Sequence, residues 1–267
     1  MGDYGSAKPH LHATPVDKEP PQPLASPKEI SVLITGFGPF KTNLVNASYS
    51  IASSLPSSFP FPSPKDHDSN PRRVSLHVHP TPITVSYATV RETVPLILEE
   101  FAASNGGRRP DLILHIGIAA PREYYSVEIL AHRDDYHITD VEGCPGYLDG
   151  EKRWKELGLP PILTPGRASE DPSSASTYQP DEQFLEKWRS YAPASDLRIS
   201  KDAGHYLCDF IFYTSMSLAH LQGQDRNVLF LHVPGASEDA NIKEGREVTL
   251  ALIKSMVAYW IDRNPSA

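Results

Sequence analysis

The chain contains little cysteine, no long apolar run, and fewer basic than acidic residues. With two cysteines among 267 residues, it lacks the paired thiols of a disulfide scaffold. No apolar stretch approaches the roughly 20 residues that a membrane-spanning helix needs, and the first 29 residues contain no apolar signal core. Lys and Arg number 25 against 33 Asp and Glu, which argues against a nucleic-acid-binding surface. The sequence therefore predicts a soluble, cytoplasmic protein with no membrane or nucleic-acid partner.

Proline is abundant, at 26 residues, close to twice its usual share of about 5%. The prolines cluster in residues 1–29, 56–72 and about 156–180. Proline-rich polar segments bury too little apolar surface to become ordered. We therefore predict a disordered tail over residues 1–29, long surface loops in the other two clusters, and a single domain over residues 30–267.

Between the proline-rich segments, short apolar runs alternate with stretches of helical spacing. Three runs have the composition of buried strands and end at glycine or proline: ISVLIT from Ile30, DLILHI from Asp111 and VLFLHV from Val228. Weaker strand patterns occupy residues 74–78, 125–131 and 197–200, and helical patterns occupy residues 46–55, 87–103, 182–191, 206–221 and 244–262. This alternation predicts an α/β fold of three layers, with helices on both faces of the sheet.

A tight loop, TGFGPF, begins at Thr35, where the first strand ends. Its two glycines suggest a dinucleotide-binding fingerprint, but Pro39 follows them and the third glycine is absent. Two interpretations remain. Phe37 and Phe40 either fill the core or line an apolar slot at the carboxyl end of the strand, where open α/β sheets bind ligands.

Three other residues are candidates for catalysis. Cys208 lies near the start of a predicted helix, whose positive dipole end favours a thiolate, although many such cysteines are simply buried. His232, at the end of VLFLHV, is either a core residue or a base for a thiol nucleophile. Glu128 lies in an alternating strand, where it either faces solvent or orients a histidine as the third member of a triad. Spacing alone does not decide between these alternatives.

A cluster of possible metal ligands is also present, at His132, Asp134, Asp135 and His137. It matches no zinc-binding spacing, and both cysteines lie outside it. We therefore predict that the protein uses no metal and no other cofactor.

Four blocks of sequence together resemble pyroglutamyl peptidase I, the cysteine peptidase family that removes N-terminal pyroglutamate. They occur in the family's order over roughly residues 30–263: TGFGPF with Val45–Ser48, His115–Gly117 leading to Glu128, Ser200–Asp209 with Phe212–Ser215, and Phe230–Pro234. The block around the cysteine is the most specific, and the aspartate that follows it is similar to the animal form rather than the bacterial one.

The resemblance implies a role for each candidate residue. Cys208 would be the nucleophile, His232 the base and Glu128 the third member of the triad. The loop phenylalanines would form an aromatic slot for the pyroglutamyl ring of a peptide substrate, and Asn46 would lie near that slot. The lining residues implied by the resemblance are thus Phe37, Phe40 and Asn46. The implied fold is an α/β/α sandwich around a mixed sheet, as in nucleoside phosphorylases and related hydrolases.

The chain also departs from the family pattern. Lys41 and Thr42 replace two glycines, and the segment over about 149–180 is expanded. These departures leave two alternatives open. One is an amidase or phosphorylase-like enzyme of the same fold that acts on another small lactam or on a nucleoside. The other is a catalytically silent binding protein that uses the proline-rich tail.

Overall fold

A mixed β-sheet with helices on both faces is the centre of the molecule, as seen in a computed structural model that describes residues 29–40, 43–62, 71–173 and 179–264. Within these ranges the strands are β1 Glu29–Gly36, β2 Ser58–Phe61, β3 Arg72–Val78, β4 Leu112–Ile118, β5 Tyr125–Glu128, β6 Ala131–His132, β7 Ile162–Leu163, β8 Leu197–Ser200 and β9 Val228–Val233. The α-helices are α1 Ala47–Ser53, α2 Tyr87–Ser104, α3 Gly150–Glu156, α4 Glu182–Tyr191, α5 Leu207–Leu221 and α6 Asp239–Arg263.

The main sheet has seven strands in the order β2-β3-β1-β4-β9-β5-β8. Strands β3, β1, β4 and β9 are parallel to one another. Strand β5 reverses direction, since it pairs antiparallel with β9 and parallel with β8, and β2 is antiparallel at the opposite edge. The prediction of a mixed sheet is therefore confirmed. Strands β6 and β7 form a separate two-stranded sheet.

The two faces of the sheet carry separate apolar cores. Side chains alternate between the faces along each strand, so Ile30 and Val32 of β1 pack with α1, α4 and α6, whereas Leu33 packs with α2, α3 and α5. The three central runs, β1, β4 and β9, are almost continuously apolar because both of their faces are covered. This arrangement confirms the predicted three-layer α/β fold.

The same alternation sets which polar side chains share a face. Val127 of β5 and Leu231 of β9 belong to the core beneath α1, α4 and α6. Their neighbours Glu128 and His232 consequently point to the opposite face, which α5 covers. Two of the three candidate catalytic residues thus lie on adjacent strands and on one face of the sheet.

Helix α1 packs unusually close to the end of β1. Asn46 is its N-cap, and its side chain accepts a hydrogen bond from the backbone N–H of Ser48. A Cβ atom at Gly36 would lie 2.7 Å from the Cα of Tyr49, which is backbone and cannot move aside. Glycine at this position therefore allows the loop after β1 to begin directly beneath α1.

The boundaries of the other helices agree with the sequence patterns, with two differences. Helix α6 begins at Asp239, five residues before the predicted start at Glu244, because its first turn is polar and carries no apolar periodicity. Helix α2 continues through Pro95, which the sequence analysis treated as a possible interruption.

The segment over residues 149–180, predicted as an expanded loop, contains α3 and β7 within its described part. The prediction of a surface loop from about residue 156 is wrong for residues 163–166, which are buried. The physical reason is Arg226, a fully buried arginine. Its guanidinium donates to the carbonyl of Thr164 at 2.8 Å and to that of Arg167 at 3.1 Å, and so holds this segment against β9.

Several predictions concern residues outside the described ranges. They include the disordered tail, whose residues 1–28 are not described, and the substituted pair Lys41 and Thr42. Glu29, which we placed in the tail, is the first residue of β1. Among the helices of the described ranges, none combines the length and apolar character required to cross a membrane.

Candidate active site

Glu128 and His232 form a direct contact in the interior of the molecule. Both are almost or completely buried, and Nδ1 of His232 lies 2.7 Å from Oε1 of Glu128. The register of β5 against β9 pairs Glu128 with Phe230, so the carboxylate reaches His232 diagonally across the two strands. Because the carboxylate only accepts hydrogen bonds, Nδ1 is the protonated nitrogen, and Nε2 is left to face other groups.

The sulfur of Cys208 lies over Gly117 of β4, the strand next to the one that carries His232. Cys208 is the second residue of α5. A Cβ atom at Gly117 would lie only 2.8 Å from its Sγ atom and 2.7 Å from Cζ of Phe230. Gly117 is the β4 residue that registers with His232. Glu128 and His232 therefore lie on the adjacent strands β5 and β9, and the sulfur of Cys208 reaches from α5 to the next strand, β4.

The ionisation of Cys208 differs from the expectation for a helix N-terminus. Burial of the side chain raises the pKa of the Cys208 thiol, and the negative charges of Glu128 and Asp209 raise it further. Arg122 acts in the opposite direction. The expected thiolate is thus disfavoured in the resting site, and burial is the largest cause.

The aromatic loop after β1 lies beside the helix that carries the cysteine. Phe40 is partly exposed, and its ring lies 5.4 Å from that of Tyr206, the N-cap of α5. Phe37 is buried, and both rings belong to the core that Cys208 also contacts. The structure therefore combines the two interpretations of the loop, since one phenylalanine fills the core and the other borders a partly open surface near the cysteine.

Asn46 is fully engaged in holding this loop. Its Nδ2 donates to the carbonyl of Gly38 at 2.8 Å, and its Oδ1 accepts from the N–H and hydroxyl of Ser48. The hydroxyl of Ser48 in turn accepts from the N–H of Phe37 at 3.0 Å. Asn46 thus fixes the shape of the aromatic loop through both ends of its amide, and its direct contact with a substrate stays a prediction.

A second polar cluster lies directly behind the cysteine. Asp209 is fully buried, accepts from the backbone N–H of His132 and from the hydroxyl of Tyr136, and lies 3.2 Å from Nδ1 of His132. The ring of His205 stacks near His132, with centroids 4.7 Å apart. Among the described residues, His132, His205 and Asp209 bring possible ligand atoms within 4.8 Å of one another. Protein groups already contact the carboxylate oxygens, and the absence of a metal stays a prediction.

The pKa of His132 can be measured to test whether its ring pairs with Asp209. The hydrogen bond to Asp209 raises the pKa of His132 above its ordinary value. We expect Asp209→Asn to lower the pKa of His132, since the amide carries no charge to stabilise the imidazolium. Titration of the imidazole protons by NMR measures this, with the His132 signal identified by its loss in His132→Gln.

His220, which lies at the other end of α5, provides the internal control. Its pKa is lowered by burial and by Arg226 rather than by Asp209, so its titration is expected to be the same in both proteins. An unchanged His132 midpoint in Asp209→Asn would contradict the pairing.

His115, part of one of the blocks that carry the resemblance, lies in the core. It is within 2.7 Å of both the hydroxyl of Thr35 and that of Ser215. Burial lowers the pKa of His115 to about 3, so the imidazole is neutral at physiological pH. Its two hydrogen bonds join β1, β4 and α5, which identifies it as a structural residue.

Three further residues shape the site, and the sequence patterns predict no such role for them. Gly117 provides the space for the sulfur, Tyr206 supplies a ring beside Phe40, and Arg122 donates to Oε1 of Glu128 at 3.1 Å. The alternation of Ser126 and Glu128 along one strand was the available signal for Arg122. Two polar side chains on a buried face require a partner of opposite charge or a donor nearby.

The chain is similar in sequence to known peptidases. No family model matches the chain. Pyroglutamyl-peptidase 1 of Mus musculus is 26% identical over 228 residues, which cover 85% of this chain and 90% of the relative. The pyrrolidone-carboxylate peptidase of Pyrococcus furiosus is 27% identical over 219 residues, covering 81% and 86%.

A solved structure shows the same fold. The pyrrolidone carboxyl peptidase from Thermococcus litoralis aligns with a TM-score of 0.63 at 18% identity, over 88% of this chain and 96% of that chain. Sequence similarity over most of the length, the shared fold and the ordered blocks of sequence agree with one another. The chain is thus similar in sequence to pyroglutamyl and pyrrolidone-carboxylate peptidases over most of its length, and it has the fold of a pyrrolidone carboxyl peptidase.

Proposed function

We propose that this chain is a cysteine peptidase that hydrolyses the amide bond after an N-terminal pyroglutamyl residue. The main support is the contact between Glu128 and His232 on adjacent strands, with the carboxylate 2.7 Å from Nδ1 of the imidazole, and the position of the Cys208 sulfur over Gly117 of the next strand. The three groups come from distant parts of the chain and match the roles of orienting acid, base and nucleophile. The names of the relatives supply the substrate class.

The raised pKa of the thiol favours proton transfer during attack rather than before it. As the sulfur of Cys208 bonds to the carbonyl carbon after pyroglutamate, Nε2 of His232 takes the thiol proton. Glu128 stabilises the imidazolium that forms. N–H groups in the first turn of α5 lack intrahelical acceptors, and we propose that they hold the oxyanion. Each such donor contributes on the order of 3 kcal/mol to the transition state.

The remaining steps release the two products. The imidazolium of His232 donates its proton to the leaving amine as the carbon–nitrogen bond breaks, and a thioester to Cys208 remains. His232 then takes a proton from water as the hydroxide adds to the thioester carbonyl. Cleavage of the carbon–sulfur bond releases pyroglutamate, and the proton returns to the sulfur.

Recognition of the ring is assigned to the aromatic loop. Pyroglutamate has an apolar face and a lactam edge with one N–H and one C=O group. We propose that Phe40 holds the face, supported by the core that contains the buried Phe37, with Asn46 fixing the loop, and that backbone groups pair with the lactam edge. A site that hydrogen-bonds a group rejects analogues that lack it, often by about 10⁴-fold or more.

The test is release of a fluorogenic amine from a pyroglutamyl amide, beside the matching prolyl amide, which lacks the lactam carbonyl. We expect turnover of the first and a loss of about 10⁴-fold in kcat/KM for the second. No turnover of either by folded protein would refute the proposal and favour the binding-protein alternative. Phosphate-dependent cleavage of a nucleoside would favour the phosphorylase-like alternative.

The working compartment follows from the nucleophile. Cys208 must remain reduced to attack a carbonyl, and the cytosol keeps thiols reduced. We therefore propose the cytoplasm as the site of activity.

Substitution of Gly117 tests whether the position of the Cys208 sulfur matters for activity. In Gly117→Ala, the new methyl group would lie 2.8 Å from the sulfur of Cys208 and 2.7 Å from the fully buried ring of Phe230. Since the ring has no room to move, the sulfur must shift. We expect kcat to fall by about 10²-fold and the free energy of unfolding to fall by roughly 1–3 kcal/mol.

Steady-state kinetics and urea unfolding of Gly117→Ala measure the two effects separately. Full activity in the folded variant would show that the sulfur does not need its position above Gly117.

A further inference from the structure

Arg122 connects three parts of the site. It lies in the turn between β4 and β5, with a quarter of its side chain exposed. Its Nη1 donates to the hydroxyl of Ser126 at 2.8 Å and to Oε1 of Glu128 at 3.1 Å. Its Nη2 donates to the carbonyl of Asp202 at 3.4 Å, in the loop that leads from β8 into α5.

The carboxylate that Arg122 contacts is in an unusual environment. Glu128 is completely buried. Its Oε1 receives Nδ1 of His232, the hydroxyl of Ser126 and the guanidinium of Arg122. Its Oε2, by contrast, is buried without a hydrogen-bond partner among the described residues. A buried carboxylate is costly unless a cation compensates it. Among the described residues, Arg122 is the arginine that forms an ion pair with this carboxylate, at 3.1 Å.

The position of Arg122 also affects the nucleophile. Its contact with Asp202 links the end of β5 to the loop that precedes Cys208 by only a few residues. Its positive charge opposes the rise in the pKa of the Cys208 thiol caused by burial and by Glu128. The hydrogen bonds of Arg122 hold Glu128 and the loop before Cys208 in place. Its charge lowers the pKa of the Cys208 thiol. Both effects favour transfer of the thiol proton to His232.

We propose that Arg122 is a positioning residue for the reaction, which holds the Glu128 carboxylate toward His232 and ties β5 to the loop before Cys208. The proposal rests on the peptidase function proposed above, and it adds a residue that acts on the reaction through Glu128. Arginine suits this role because its fixed fork spans several acceptors, whereas lysine offers a single point charge.

Other charged groups face the same site from neighbouring elements, and the test must hold them constant. They are Glu128 on β5, His232 on β9, Cys208 and Asp209 on α5, His132 on β6, and Asp202 in the loop before α5. Arg198 of β8 lies over the ring of Tyr124, as Arg122 does at a greater distance. Its carboxylate partner is Asp196, so Arg198 provides a matched control.

The experiment compares Arg122→Met, Arg122→Lys and Arg198→Met, all in a Cys144→Ala background so that Cys208 is the remaining thiol. Two quantities are measured: kinetics on a pyroglutamyl amide, and the rate of alkylation of Cys208 by iodoacetamide across pH. We expect Arg122→Met to lower kcat by roughly 10- to 100-fold, as for loss of a charge-assisted hydrogen bond, with little change in KM. The alkylation midpoint should move to higher pH.

The other two variants separate charge from geometry. Arg122→Lys should restore the alkylation midpoint, because the charge is kept, while kcat stays several-fold low, because the fork is lost. Arg198→Met should match the background protein in both measurements.

An unchanged kcat and an unchanged midpoint in Arg122→Met would overturn the proposal, as would a lowered kcat with an unmoved midpoint, which indicates a structural role alone. If Arg122→Met does not fold, Arg122→Lys decides, since an undiminished kcat in that variant would refute the need for the fork. Inactivity of the background protein would refute the peptidase function instead, and the alkylation midpoints would still test Arg122.

Discussion

Replacement of Cys208 by alanine is expected to reduce hydrolysis of pyroglutamyl amides by 10⁴-fold or more, on the order of the loss seen when a peptidase loses its nucleophile. The reason is chemical, because without the sulfur no thioester forms and only oxyanion stabilisation and substrate positioning remain. Cys208→Ser is expected to be similarly inactive, because an alcohol gives up its proton far less readily than a thiol. Release of the fluorogenic amine measures both variants.

Cys144 offers the matched control for this experiment. It is the other cysteine of the chain and lies exposed in the loop before α3. Cys144→Ala should keep the kinetics of the parent protein. Full activity in Cys208→Ala, or its loss in Cys144→Ala, would assign the chemistry to a different residue.

Glu128→Gln is expected to lower kcat by on the order of 10³-fold while KM changes little. The amide oxygen of glutamine can still accept from Nδ1 of His232, so the ring keeps a partner. What is lost is the negative charge that stabilises the imidazolium during proton transfer. Because the side chain is completely buried, direct contact with bound substrate contributes nothing to the expected change.

The same substitution is expected to have an opposite effect on the thiol. The charge of Glu128 raises the pKa of Cys208, so its removal should lower that pKa and move the alkylation midpoint to lower pH. Turnover would then fall while the cysteine becomes easier to ionise. Glu123→Gln, an exposed change of the same type in the preceding turn, is the control. A parallel loss of alkylation and turnover in Glu128→Gln would argue for local unfolding instead.

Much of the fold was predictable from the sequence because its central strands are covered on both faces. A strand of this kind, such as β4 or β9, reads as an unbroken apolar run that ends where the chain turns. The strands that were missed, β2 and β7, are short, and the first contains Pro60. Neither leaves a periodic signal in the sequence.

The sequence predicts which residues form the candidate site, but it does not predict how their side chains are arranged. Residue type and the ordered blocks of sequence identified Cys208, His232 and Glu128. Spacing could not decide whether Glu128 faces solvent, because that depends on β5 running antiparallel to β9. A shift of one residue in this register would turn the carboxylate to the other face of the sheet. The roles of the three residues stay predictions until the variants are measured.

Burial of the sulfur also lies beyond sequence analysis. The start of α5 predicts a stabilised thiolate when only the helix is considered. The sulfur packs over Gly117 of β4, and burial is the largest cause of the raised pKa of the thiol. This effect depends on tertiary packing alone.

The place of β9 in the sheet has a consequence for biosynthesis. It is the last of the described strands along the chain, yet it lies between β4 and β5. Until residues 228–233 leave the ribosome, the strands already made form two groups that no strand pairing joins. Glu128 and His232 are 104 residues apart, and pairings of such long range form slowly. A nascent or truncated chain that already carries Cys208 therefore lacks the contact between Glu128 and His232, and we expect peptidase activity only when synthesis of the domain is almost complete.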